Sequence, residues 1–156
     1  MLVYTVGTWD LLHVGHVALL ESCKTLGDVV AVGVASDDVV NIYKPNVPVV
    51  PLNHRVEMLE ALRCVDIVRP YHELEYVSGC KELNIDIFVI GEDWGSKRHN
   101  LDVESYLEAA GKQIVKVCYS PLTSSTKIKQ RVISQFHTGG HNSKQSAKIG
   151  VIPAVS

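Results

Sequence analysis

The sequence is notable first for what it does not contain. Its cysteines, Cys23, Cys64, Cys80 and Cys118, include no C-x-x-C pair, which argues against a zinc ribbon, a dithiol redox motif or a disulfide scaffold and leaves reduced, structural thiols. His54, His72, His99, His137 and His141 lack ligand spacing with carboxylates or thiols, so no structural metal site is expected. No apolar run approaches the ~18 residues of a membrane span. The opening MLVYTVGTWD has no basic segment ahead of a long apolar one, so no signal peptide is expected. Neither charge sign dominates: the formal net charge is −2, giving no footprint for nucleic acid or a membrane surface. No internal repeat is evident. A soluble cytoplasmic protein is expected.

What remains is an ordinary globular composition, 46% hydrophobic and 21% charged, long enough for one domain with a buried core. Leu2–Val6 reads as a buried strand ending at Gly7, and Val14–Leu26 as a helix stopped by Gly27. Val29–Ala35 is nearly continuous apolar, as for a strand covered on both faces. Asn41–Pro51 reads as a loop with three prolines, and Asn53–Cys64 as a helix capped by Asn53. A short strand over Val65–Val68 ends before Pro70, and a helix covers roughly 73–83. Asp86–Ile90 and Gln113–Cys118 are further strands. Tyr106–Gly111 ends a helix, and Thr126–Phe136 is a last one. The alternation predicts an α/β fold with a parallel sheet between two helical layers, and ligands beyond the carboxyl ends of the strands. The domain is expected to span 1–136. The Gly-, Ser-, His- and Lys-rich stretch 137–156 is expected to be a mobile extension.

The densest chemical signal is Gly7-Thr8-Trp9-Asp10-Leu11-Leu12-His13-Val14-Gly15-His16, joining the first strand to the first helix. Backbone N–H groups at such a junction attract phosphate. His13 and His16, three apart, share a face of the opening turn. Gly15 between them lets a ligand approach the backbone. Two imidazoles beside a helix N-terminus suit nucleotidyl transfer, where positioning and electrostatic stabilisation of the polyphosphate dominate. By itself the pair could equally be surface or capping histidines. Asp10 could cap the first helix, orient a histidine, or take part indirectly in metal binding.

This segment resembles the G-T-F-D-x-x-H-x-G-H signature of the cytidylyltransferase-like nucleotidylyltransferases, with Trp9 where phenylalanine is usual. The resemblance extends through Arg131. It implies a Rossmann-like three-layer α/β/α fold, an NTP with Mg²⁺, a phosphorylated small-molecule acceptor, and a homodimer with the motif near the interface. It also implies that His13 and His16 contact the triphosphate, with Gly7, Thr8, Trp9 and Gly15 around it. Thr123, Ser124, Ser125 and Thr126 match the family's hydroxyl-rich helix start, placed to hold the β- and γ-phosphates with Lys127 or Lys129 adding charge. Taken alone, such hydroxyls are more often a simple cap. Relatives read R-T-E-G-I-S-T-T there, whereas this chain has Tyr119-Ser-Pro-Leu-Thr and no arginine, a trait shared with heptose-phosphate adenylyltransferases. Lys44 matches a lysine that reaches phosphate. Arg55 matches an arginine near the acceptor and phosphate, its plain alternative being an exposed helix residue.

Gly91-Glu92-Asp93-Trp94 resembles the G-D-D-W stretch of glycerol-3-phosphate cytidylyltransferases, and Gly91, Asp93 and Trp94 are expected in a base or sugar pocket. The leading expectation is therefore CMP transfer from CTP to a small phosphorylated alcohol of the glycerol 3-phosphate type, releasing pyrophosphate. The alternatives are an adenylyltransferase acting on heptose 1-phosphate or FMN, and a catalytically silent nucleotide-binding module.

Overall fold

A computed structural model describes residues 1–43, 47–118 and 123–138. In chain order the elements are β1 (Leu2–Gly7), α1 (Val14–Leu26), β2 (Val29–Ala35), α2 (Asp37–Tyr43), α3 (Leu52–Glu60) and β3 (Ile67–Tyr71). They continue with α4 (Val77–Leu83), β4 (Ile87–Ile90), α5 (Arg98–Ala109), β5 (Gln113–Lys116) and α6 (Ser125–Thr138). The strands form one sheet in the order β3-β2-β1-β4-β5, with every neighbouring pair parallel. This is the parallel α/β fold that the alternating pattern predicts, in the Rossmann-like form that the resemblance implies.

Side chains alternate across the sheet, so adjacent residues of β1 serve opposite cores. Val3 packs with Leu19, Leu20 and Cys23 of α1 and Leu59 of α3. Tyr4 packs with Cys80 of α4 and with Val103 and Leu107 of α5. The central strands are buried on both faces, which is why β2 reads as an unbroken apolar run. The chain leaves β1 toward β2 and β3, then crosses to the other side for β4 and β5. The order therefore reverses between β1 and β4, where a crevice opens beyond the strand ends.

Several local expectations are corrected. Pro70 lies inside β3 rather than beyond it. β3 is an edge strand, so the missing proline N–H costs little in the ladder. Asn53 does not cap α3. The helix begins one residue earlier after Pro51, without a side-chain cap. α4 starts at Val77 rather than near 73, and residues 41–43 close α2 rather than opening a loop. α5 is far longer than its C-terminal end suggested, and it buries Asn100, Val103 and Leu107. α6 runs on to Thr138; residues 139–156 lie outside the described residues. Cys23 and Cys80 are buried free thiols, each pushed up to about 12 chiefly by burial, consistent with structural roles. Among the described residues no helix is long and apolar enough to cross a membrane.

Candidate active site

The turn after β1 carries unusual backbone geometry. Trp9 (φ 57°) and Leu11 (φ 50°) are both left-handed, a conformation that bulky residues rarely adopt and that gathers at functional turns. Tertiary contacts hold it in place. The Trp9 indole N–H donates to the Gly33 carbonyl at 2.8 Å, and the ring is buried. A Cβ on Gly7 would lie 3.0 Å from that indole, so glycine is required where β1 ends.

His13 caps α1. Its Nδ1 accepts from the Gly15 N–H at 3.1 Å and the His16 N–H at 3.4 Å, which leaves the proton of the neutral ring on Nε2. A Cβ on Gly15 would stand 3.0 Å from the His13 ring, so this glycine admits the imidazole. The His13 and His16 rings stack with centroids 3.8 Å apart and planes at 17°. Trp9 meets His16 edge-on at 5.3 Å. His16 is 7% exposed, and its Nδ1 has no hydrogen-bond partner among the described residues. Burial, and next the neighbouring His13, hold His16 down to about 4, while burial lowers His13 as well. Both rings are thus neutral donors near pH 7.

This has a consequence for stability. The unfolded chain protonates His16 near 6.5, the folded chain near 4, so between those values the unfolded state binds more protons. Stability is fully present above about pH 6.5 and is lost as the pH falls toward 4, by on the order of 3 kcal/mol. Urea unfolding at pH 7, 5.5 and 4 should show this loss in the wild-type protein and a much flatter profile in His16→Gln. Parallel profiles would refute the assignment.

Asp10 neither caps α1 nor contacts a histidine through a hydrogen bond. Its Oδ1 accepts from the Val50 N–H at 3.0 Å, and its Oδ2 pairs with the Lys129 ammonium at 2.9 Å. The Ser125 hydroxyl donates to its carbonyl at 2.7 Å. Burial would raise the Asp10 carboxyl, but the Val50 N–H and Lys129 outweigh it and hold it below the usual carboxylate range. These ties draw the start of α6 against the motif. The Thr123 carbonyl lies 3.7 Å from where a Gly15 Cβ would stand, and Ser124 caps α6 by accepting from the Lys127 N–H.

Between these segments lies a cleft of about 700 Å³, within the range of nucleotide-sized ligands. Its lining brings together Gly7, Thr8, Trp9, His13 and His16 from the motif, Ser124 from the cap of α6, and Ser125, Thr126 and Lys129 from α6 itself. Gly91, Asp93 and Trp94 line the β4 side. The Trp94 indole N–H is committed to Glu104 at 2.7 Å, and its ring packs on Phe88 and Tyr76, so it serves as a wall rather than a donor. Lys44 lies outside the described residues.

Arg55 requires correction. It is neither an exposed helix residue nor part of the cleft wall. It is 1% exposed. Its guanidinium donates to the carbonyls of Val50, Thr8 and Ala35 and pairs with Asp37 at 2.6 Å. With four of its five N–H groups engaged by the protein, it ties the ends of β1 and β2 to α3. Asp37 completes this tie and also accepts from the Leu52 N–H.

Sequence reasoning also missed Asn100, whose amide donates to the Gly95 carbonyl at 2.7 Å and pins the loop after β4. Its signal was a polar residue one turn before the apolar Val103 and Leu107. Tyr71 and Tyr76, which line the β3 side of the cleft, had no local signal. Among the described residues no three His, Cys, Asp or Glu side chains gather as a metal site; a divalent ion accompanying a triphosphate would take its oxygens mainly from phosphate and water.

The family model described as cytidylyltransferase-like matches residues 4–131. A glycerol-3-phosphate cytidylyltransferase of Bacillus subtilis (strain 168) is 38% identical over 83% of this chain and 95% of its own length. An FAD synthase of Thermococcus onnurineus (strain NA1) is 32% identical over 83% of this chain and 89% of its own. Among solved structures, a lipopolysaccharide core biosynthesis protein from Thermoplasma volcanium GSS1 superposes with a TM-score of 0.63 at 28% identity, covering 77% of this chain and 96% of that one.

Proposed function

This chain belongs to the cytidylyltransferase-like family of nucleotidylyltransferases, and from that premise we propose that it transfers CMP from CTP to a small phosphorylated alcohol of the glycerol 3-phosphate type. The observation that carries the reading is the shared cleft: the stacked imidazoles and the hydroxyl-bearing tip of α6 line one space. An ionised acceptor phosphate attacks the α-phosphorus of the NTP, a P–O bond forms, and the bond to pyrophosphate breaks. No protein nucleophile is needed, and the acceptor requires no base. His13, its tautomer set by capping, and His16, with an uncommitted Nδ1, donate N–H groups to the polyphosphate where charge develops. An arriving polyanion favours protonation of His16, whose Nδ1 takes no part in the cap, and so strengthens that contact. Ser124, Ser125 and Thr126 receive the outer phosphates, and Mg²⁺ enters with the NTP. Lys44 belongs to this reading as a phosphate-reaching lysine, and Gly91, Asp93 and Trp94 as the base-side wall. The enzyme works in the cytoplasm as a homodimer, which light scattering tests.

CTP is favoured by the resemblance of Gly91-Glu92-Asp93-Trp94 to the cytidylyltransferase pattern and by the 38% relative. The FAD synthases among the relatives favour the adenylyl alternative. Pyrophosphate release should be measured with each NTP against glycerol 3-phosphate, heptose 1-phosphate and FMN. Turnover with CTP and glycerol 3-phosphate is expected; turnover with ATP alone overturns the cytidylyl reading.

A further inference from the structure

Asp10 joins three chain segments at once. Its own backbone belongs to the turn after β1, its Oδ1 holds Val50, and its carbonyl and Oδ2 hold Ser125 and Lys129 of α6. Ser125 is 115 residues away in sequence. Residues 130–137 are exposed, including Val132, Ile133 and Phe136. The contacts that Asp10 makes to this helix lie in its first turns, on the cleft side, and are polar. The pair is also unequal: the Asp10 side chain is 7% exposed and that of Lys129 35%. A buried carboxylate at the edge of a cleft for a polyanion repels that ligand unless a cation covers it, and shielding by salt is weak at such a site.

We infer that Asp10 is a positioning residue which docks the hydroxyl-bearing tip of α6 beside the imidazole pair, and that Lys129 is the cation that lets this carboxylate stand in a polyphosphate site. The inference rests on the nucleotidylyltransferase reading and assigns a division of labour within it. Asp10 sets where the phosphate-binding hydroxyls stand without contacting substrate itself. Lys129 cancels the charge that this arrangement would otherwise present to the nucleotide.

The two roles predict a sign pattern that a simple structural bond does not produce. Asp10→Asn keeps an oxygen for Val50 but loses the ion pair, so the α6 tip loosens and KM for the NTP rises several-fold while KM for the acceptor stays near wild type. Lys129→Met leaves the bare carboxylate facing the nucleotide and raises that KM by about tenfold or more, a coupling of the size seen between contacting charges. The double variant should bind the NTP better than Lys129→Met alone, because the repelling charge is gone. Steady-state kinetics on the four proteins, with CTP varied, decides it. A double variant no better than Lys129→Met overturns the assignment, as does an Asp10→Asn protein that binds CTP more tightly. A loss confined to kcat with unchanged KM marks a folding defect and overturns it too.

Hydrogen exchange without nucleotide separates this inference from the reading beneath it. Asp10→Asn should speed exchange over residues 125–131 and leave β1 and β4 unchanged. If the wild-type protein turns over no NTP, the enzymatic reading fails whatever the exchange shows. If it turns over and α6 exchanges at the wild-type rate in Asp10→Asn, the docking role fails alone.

Discussion

Replacing His16 with alanine is expected to lower kcat by ~10²–10³-fold while nucleotide binding survives, the loss typical of removing one preorganised donor from a transition state. The expectation follows from the state of the ring. His16 is buried, stacked on His13, in contact with Trp9, and its Nδ1 has no partner among the described residues. A buried polar atom left unsatisfied costs stability, and such groups in native proteins call for an explanation. A ligand that engages this imidazole supplies one. His13 needs a different design, because its Nδ1 also caps α1. Alanine there would mix a capping loss of about 1 kcal/mol with any catalytic loss. Asparagine retains an acceptor for the helix amides, so a large fall in kcat for His13→Asn with little change in Tm assigns the ring to the reaction. A His16→Ala enzyme with near-normal kcat would remove the imidazole from the mechanism.

The second large effect is on stability. Arg55→Ala is expected to cost about 3 kcal/mol, because it leaves three backbone carbonyls without their donor and empties a fully buried site. The guanidinium has side-chain exposure of 0% and satisfies the carbonyls of Thr8, Ala35 and Val50 together with Asp37. Truncation strands these acceptors and opens a cavity beneath the turn that carries Trp9. Arg55→Lys should recover little, since one ammonium on a flexible stem cannot reproduce a planar fork with several fixed donors. Thermal and urea unfolding measure the loss directly. If Arg55→Ala keeps wild-type stability and instead raises KM for the acceptor, Arg55 is a substrate contact and its scaffolding role is wrong.

Both cases show how far local patterns reach. Arg55 sits in a stretch whose polar residues suggested either an exposed helix face or a phosphate contact, and neither option includes an arginine turned inward. Only the arrival of Thr8, Ala35 and Asp37 around it, from 18 to 47 residues away, makes burial of its charge tolerable. Asp10 raised the same difficulty. A carboxylate just ahead of a helix suggests a cap, but His13 takes that role with its Nδ1, and Asp10 is released to hold Val50 and α6. Pro70 reads as the end of a strand until its position on the sheet edge is known.

From the residue order alone came the alternation of apolar strands with amphipathic helices, the glycines that close β1 and α1, the paired histidines and the hydroxyl run. Each is written in short-range periodicity or spacing, which depends on backbone geometry over a few residues. Tertiary structure decided which of those segments meet. It brought Ser125 to Asp10, turned Arg55 inward, and made Trp94 a wall by committing its N–H to Glu104. Such pairings form only when the sheet is assembled in the order β3-β2-β1-β4-β5, because a hydrogen bond or ion pair depends on distance in space and not on separation along the chain.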